Sequence, residues 1–128
     1  MFPALKRHGD IAFLILRLVI GIIFLYHGWM KLSGLMAGNE MSGIMTILAI
    51  AEPLGGLALI LGFLTQLASL GLAIIMIGAI YMKMTAFGVG FAGSQATGWE
   101  FDLMILAGCI VLLFIGAGKY AVDAMWQR

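Results

Sequence analysis

Four long apolar runs separated by short polar breaks organise this chain, at residues 11–30, 43–64, 67–87 and 101–118. Each is close to the ~20 residues a helix needs to cross the hydrocarbon core of a bilayer. The apolar positions run on without strict alternation, which predicts helices and not the strands of a barrel. The expected fold is all-α: a single domain over residues 1–128, built as an antiparallel bundle of four transmembrane helices. Only Thr65 and Gln66 break the second run from the third, so these two helices should form a tight hairpin. The break at 31–42 is polar and contains Gly34, Gly38 and Asn39. The break at 88–98, GVGFAGSQATG, has four glycines and should be mobile or folded over the bundle.

Composition agrees with lipid as the solvent. Hydrophobic residues make up 63% of the chain and charged residues 10%, against about 25% charged in a soluble domain. No small-residue cleavage site follows the first run, which is therefore read as a retained helix. Small residues suit close helix contacts: Gly21 and Gly28 in the first helix, Gly55, Gly56 and Gly62 in the second, Gly71 and Gly78 in the third, Ala107 and Gly108 in the fourth. With four spans, Lys6, Arg7, Lys119 and Arg128 fall on one side and Lys31 and Lys83 on the other. That excess favours both termini in the cytoplasm. Trp29 and Trp99 would then belt the outer interface and Trp126 the inner one.

The few charges inside the spans are the candidate chemistry. Glu52 lies near the middle of an apolar run, where a carboxylate costs on the order of 3 kcal/mol on insertion scales. On a helical wheel Arg17, His27 and Lys31 fall within an arc of roughly 80°. His27, Lys31, Glu52, Tyr81, Lys83 and Glu100 gather toward the outer half and are candidates for holding a ligand or relaying protons. Arg17, Asp102 and Asp123 are candidates for charge pairing, Arg17 either with Asp123 or by snorkelling inward. Plainer roles stand beside these. Lys31 and Lys83 could reach lipid headgroups. Glu100 and Asp102 could favour a helix N-terminus, and being two apart they cannot face the same way. His27 and Glu52 could serve hydrogen bonding between helices. Pro53 should loosen the helix beside Glu52.

Several chemistries are set aside. The lone Cys109 forms no intrachain disulfide or dithiol pair and reads as a packing residue. Only His27 stands at membrane depth, so a bis-histidine haem lacks its second ligand. No metal motif is present, and the outer-side methionines read as apolar filling. No intrinsic cofactor is expected. The net charge of +1 gives no case for nucleic acid.

LRLVIGIIFLYHGWMKL (16–32) has an Arg, Gly, Phe, His-Gly and Lys-Leu order. EPLGGLALILGFLTQLA (52–68) has a Glu, a Gly pair and a Gly-aliphatic-Thr turn. GWEFDLMILAGCIVLLFIGAGKYAVD (98–123) has a Glu opening the last helix, then Gly-Ala-Gly and an Asp. In these three stretches the chain resembles the DoxX family of small four-helix membrane proteins. The family often has a histidine late in its third helix, where this chain has IYMKMT with Lys83. The resemblance implies a bacterial or archaeal inner-membrane protein linked to quinol oxidase or thiosulfate:quinone chemistry. The expected function is a redox-associated subunit that binds a quinone, quinol or small anion in the charged outer half. His27 and Tyr81 would donate hydrogen bonds and Glu52 would relay protons. Arg17, Lys31 or Lys83 could instead hold an oxyanion. The alternative is a non-catalytic accessory subunit of a larger respiratory or photosynthetic complex. A small transporter fits less well, because its intramembrane Glu would belong in the first helix. Beyond the lipid bilayer, the expected partners are other membrane subunits or further copies of the chain.

Overall fold

In the computed structural model, which describes residues 1–127, the chain is all-helical. Arg128, counted above among the inner-side cations, lies outside the described residues. The elements are α1 (Pro3–Lys6), α2 (Gly9–Met36), α3 (Gly43–Leu61), α4 (Thr65–Thr85), α5 (Trp99–Ile115) and α6 (Val122–Trp126). Three of these, α2, α3 and α4, are long and apolar enough to cross a membrane. The fourth long helix, α5, has 17 residues.

Where helices end differs from the hydrophobic reading, because backbone geometry and not apolarity stops them. The first helix continues beyond residue 30 to Met36, since nothing in Lys31–Met36 interrupts it. It stops at Gly38, whose φ of 87° is open to glycine. There the Gly38 amide donates to Leu35 O at 3.1 Å and the Asn39 amide to Gly34 O at 3.1 Å, a Schellman closure. The second helix ends at Leu61, not at residue 64, by the same device: Gly62 has φ 69°, and the Phe63 amide donates to Ala58 O at 2.9 Å. The expected turn at Thr65–Gln66 is therefore residues 62–64, and Thr65 already opens α4.

The four long helices associate as two tight pairs, α2 with α3 and α4 with α5, and the pairs meet less extensively. Glycine makes the first pairing possible. A Cβ on Gly21 would stand 2.6 Å from Gly56 O, and one on Gly56 would stand 2.8 Å from Leu25 N. The two backbones touch directly, as membrane helices do at small residues. Gly108 similarly admits Ile20 against α5. Gly71 and Gly78 do not serve this purpose: both are exposed with nothing within 4 Å. Ala107 is exposed as well. The core is Ile20, Phe24, Leu59, Leu72, Met76, Ile105, Cys109 and Leu112, with Cys109 wholly buried.

At the end carrying both termini, the segment after α5 laces the helices together. Arg17 is buried and donates to Leu59 O at 3.1 Å, Ala117 O at 2.6 Å and Tyr120 O at 2.9 Å. It thereby serves the carbonyl end of α3, where a cation is favoured. No Arg17–Asp123 ion pair forms. Asp123 instead caps α4, accepting from the Leu64 amide at 2.7 Å and the Thr65 amide at 2.8 Å. The two residues expected as partners are satisfied by backbone, because both lie where helix ends leave orphan groups. At the opposite end the 88–98 loop folds on itself, with the Glu100 amide donating to Phe91 O at 3.1 Å and Trp99 edge-on to Phe91.

Candidate functional site

The opposite end of the bundle holds a cavity of about 350 Å³ between the two helix pairs. Its polar wall comes from four helices: His27 and Lys31 from α2, Glu52 from α3, Lys83 from α4 and Asp102 from α5. Phe24, Met76, Phe101 and Ile105 supply the apolar wall, and Thr97 of the folded loop closes one side.

Two ion pairs face this space, one in each helix pair. Lys31 Nζ donates to Glu52 Oε1 at 2.7 Å and Oε2 at 2.6 Å. Glu52 is buried, and Lys31 keeps 28% of its side chain exposed. Lys83 Nζ lies 2.5 Å from Asp102 Oδ2. This second contact is an ion pair whose approach falls off hydrogen-bond directions. In both, a lysine late in the first helix of a pair reaches a carboxylate on the second. Pairing makes each buried carboxylate tolerable, because an uncompensated buried charge costs several kcal/mol.

His27 stands exposed on the rim, its ring edge-on to Tyr26. The cavity can therefore offer ammonium and imidazole N–H donors, carboxylate acceptors and an apolar slot without net charge from the four paired groups. Such a lining suits a small polar or planar group with an apolar body.

Of the residues singled out from sequence, His27, Lys31, Glu52, Lys83 and Asp102 converge. Tyr81 and Glu100 do not. Tyr81 is 66% exposed and turned outward, and Glu100 is exposed. Asp102 takes the inward position that Glu100, two residues earlier on α5, cannot share. Arg17 and Asp123 lie at the other end of the bundle. Sequence reasoning missed the apolar lining. Its signal was present as helical spacing: Phe24, His27 and Lys31 on α2, Met76, Ala79 and Lys83 on α4, Asp102 and Ile105 on α5.

The DoxX family model matches residues 12–85. The chain belongs to the DoxX family. The match takes in α3, α4 and most of α2, hence His27, Lys31, Glu52 and Lys83, and ends before Asp102. Curated relatives align over nearly the whole chain. Inner membrane protein YqjF of Escherichia coli (strain K12) is 28% identical, covering 97% of this chain and 98% of the relative. "Putative oxidoreductase CatD" of Bacillus subtilis (strain 168) is 30% identical over 93% of this chain and 90% of the relative. Uncharacterized membrane protein Rv3486 of Mycobacterium tuberculosis (strain ATCC 25618 / H37Rv) is 33% identical over 93% and 83%. No solved structure matches the chain.

Proposed function

We propose that this DoxX-family membrane protein is a redox-associated subunit that holds a quinone or quinol headgroup, or a small anion, in the cavity between its two ion pairs. The observation that carries this reading is the convergence of His27, on the rim, and two lysine–carboxylate pairs on one cavity with aromatic and aliphatic walls. A quinone carbonyl needs an N–H donor, and its proton uptake needs an acceptor nearby. His27 or an ammonium hydrogen of Lys31 or Lys83 supplies the first, and Glu52 the second. Tyr81, turned away, is dropped as a donor. The name of the Bacillus subtilis relative supports an oxidoreductase association.

In this reading α5 spans as well, since its 17 residues reach the lower bound of about 17 for a crossing helix. Lys6, Arg7 and Lys119 favour the end with both termini as cytoplasmic, and the membrane is the inner one, as for the E. coli relative. The cavity then opens toward the outer face. In this reading no redox cofactor resides in the chain, and electrons pass between substrates directly or through a partner subunit.

The second reading, an accessory subunit, is favoured by the closure of each ion pair within the chain: charges that satisfy one another can be stitches alone. Mass spectrometry of gently solubilised protein, scoring bound quinone and co-purifying subunits together, separates the two. Quinone retained by wild type and lost in Glu52→Gln supports the redox site. A stoichiometric large partner without any quinone supports the accessory role and removes the first reading.

A further inference from the structure

The end carrying both termini holds two cavities that adjoin at Leu64 and Leu67. One, of about 430 Å³, is an apolar groove between α3 and α4, reaching Ala51 and Ile75. Thr65 to Ile75 is ten residue steps of α4, ~15 Å of helix rise, or half the ~30 Å hydrocarbon core. The groove thus has about the depth of one leaflet. The other cavity, of about 790 Å³, is polar and sits at the mouth of the groove. Lys119, Asp123, Gln66 and Thr65 line it. Phe63 of the groove and Trp126 of the polar cavity stack edge-on at 5.4 Å where the two meet.

Two groups in the polar cavity are unspent. Asp123 accepts two amide N–H groups, and a carboxylate can take about four donors. The Lys119 ammonium lies 5.1 Å above the Tyr120 ring and meets no carboxylate among the described residues. The cavity therefore presents a cation and an anion with open lone pairs, directly above an acyl-sized slot.

We infer that these adjoining cavities form a site for one glycerophospholipid with a zwitterionic ethanolamine headgroup. The phosphate meets Lys119, the primary ammonium donates to Asp123, and one acyl chain lies along Leu67, Gly71 and Leu72. A choline headgroup lacks N–H donors for Asp123. A glycerol headgroup lacks the cation. The site lies at the opposite end from the charged cavity and stands or falls independently of it.

The test is native mass spectrometry of the full chain in detergent, titrated separately with phosphatidylethanolamine, phosphatidylcholine and phosphatidylglycerol of identical acyl chains. Phosphatidylethanolamine should be retained roughly tenfold more than either of the others, the equivalent of one charge-assisted hydrogen bond. Lys119→Gln should lower retention of all three lipids alike, since each carries the phosphate. Gly71→Phe should fill the groove and abolish retention; a Cβ at Gly71 meets nothing within 4 Å, and helicity and melting midpoint report whether the variant folds. Equal retention of the three lipids by wild type, preference for phosphatidylglycerol, or undiminished binding in a folded Gly71→Phe protein would each overturn the site. Should Gly71→Phe fail to fold, the wild-type headgroup preference and Lys119→Gln still decide.

Discussion

Pro53 rests on Gly28 so closely that a Cβ at position 28 would lie 2.6 Å from the Pro53 nitrogen. The contact sits directly beside Glu52 and sets how near α3 brings its carboxylate to Lys31. It also gives Pro53 a use beyond loosening the helix, since its ring fills the notch glycine leaves. Gly28→Ala should therefore push the helices apart and cost about 1–3 kcal/mol, the usual range for overpacking. Gly78→Ala, where nothing stands within 4 Å, should be neutral. Melting midpoints of both variants in one detergent check this; equal midpoints would mean the α2–α3 contact is looser than described.

The Lys31–Glu52 pair should behave as a buried pair. Lys31→Met leaves Glu52, which is 4% exposed, without its partner, and should destabilise by about 3–5 kcal/mol. Adding Glu52→Met should restore most of that loss, since an apolar pair of similar volume replaces the charges. A double variant as unstable as Lys31→Met alone would show that the two charges do not depend on each other.

The helices were legible because continuous apolar runs have one solution in lipid. Their ends were not. Leu61 and Leu64 are equally apolar, and only the left-handed backbone at Gly62 decides which closes α3. The charged site was half legible. Glu52 announced itself by the cost of its position, and His27 and Lys31 by sharing a helix face. Lys83 and Asp102 each had a self-sufficient explanation at a helix end, and nothing in one chain of letters joins two residues on different helices. Tyr81 misled because a phenol near a helix end suits a cavity and a lipid interface equally. Arg17 and Asp123 misled in another way: charge alone proposes a pair, whereas helix termini offered both of them closer backbone partners.

If the charged cavity holds a quinone, the two aromatic donor candidates part company. His27→Ala removes a group on the cavity wall, and Tyr81→Phe alters one turned away from it. Quinone retained after solubilisation should fall roughly tenfold in His27→Ala, as expected for a lost hydrogen bond in an apolar site, and stay at the wild-type level in Tyr81→Phe. The reverse order would move the ligand to the outer surface of α4.

Arg17 should govern the end of the bundle away from that cavity. Its guanidinium joins the carbonyl end of α3 to the Gly116–Tyr120 stretch through three hydrogen bonds, the shortest 2.6 Å to Ala117 O. That stretch positions Asp123, which caps α4. Lysine has no planar fork and can serve one or two of these carbonyls, not all three. Arg17→Lys should cost about 2 kcal/mol, and Arg17→Met about 3 kcal/mol, because buried carbonyls are left unpaired. The loss should be local. Hydrogen exchange read by mass spectrometry should quicken in residues 116–126 and in the first turn of α4, while α2 and α3 around Lys31 and Glu52 keep wild-type protection. Asp123→Ala should quicken the first turn of α4 in the same way at a cost of about 1 kcal/mol, the value of an N-cap. Uniform acceleration along all four long helices would mean that Arg17 holds the whole bundle and not the strap beneath it.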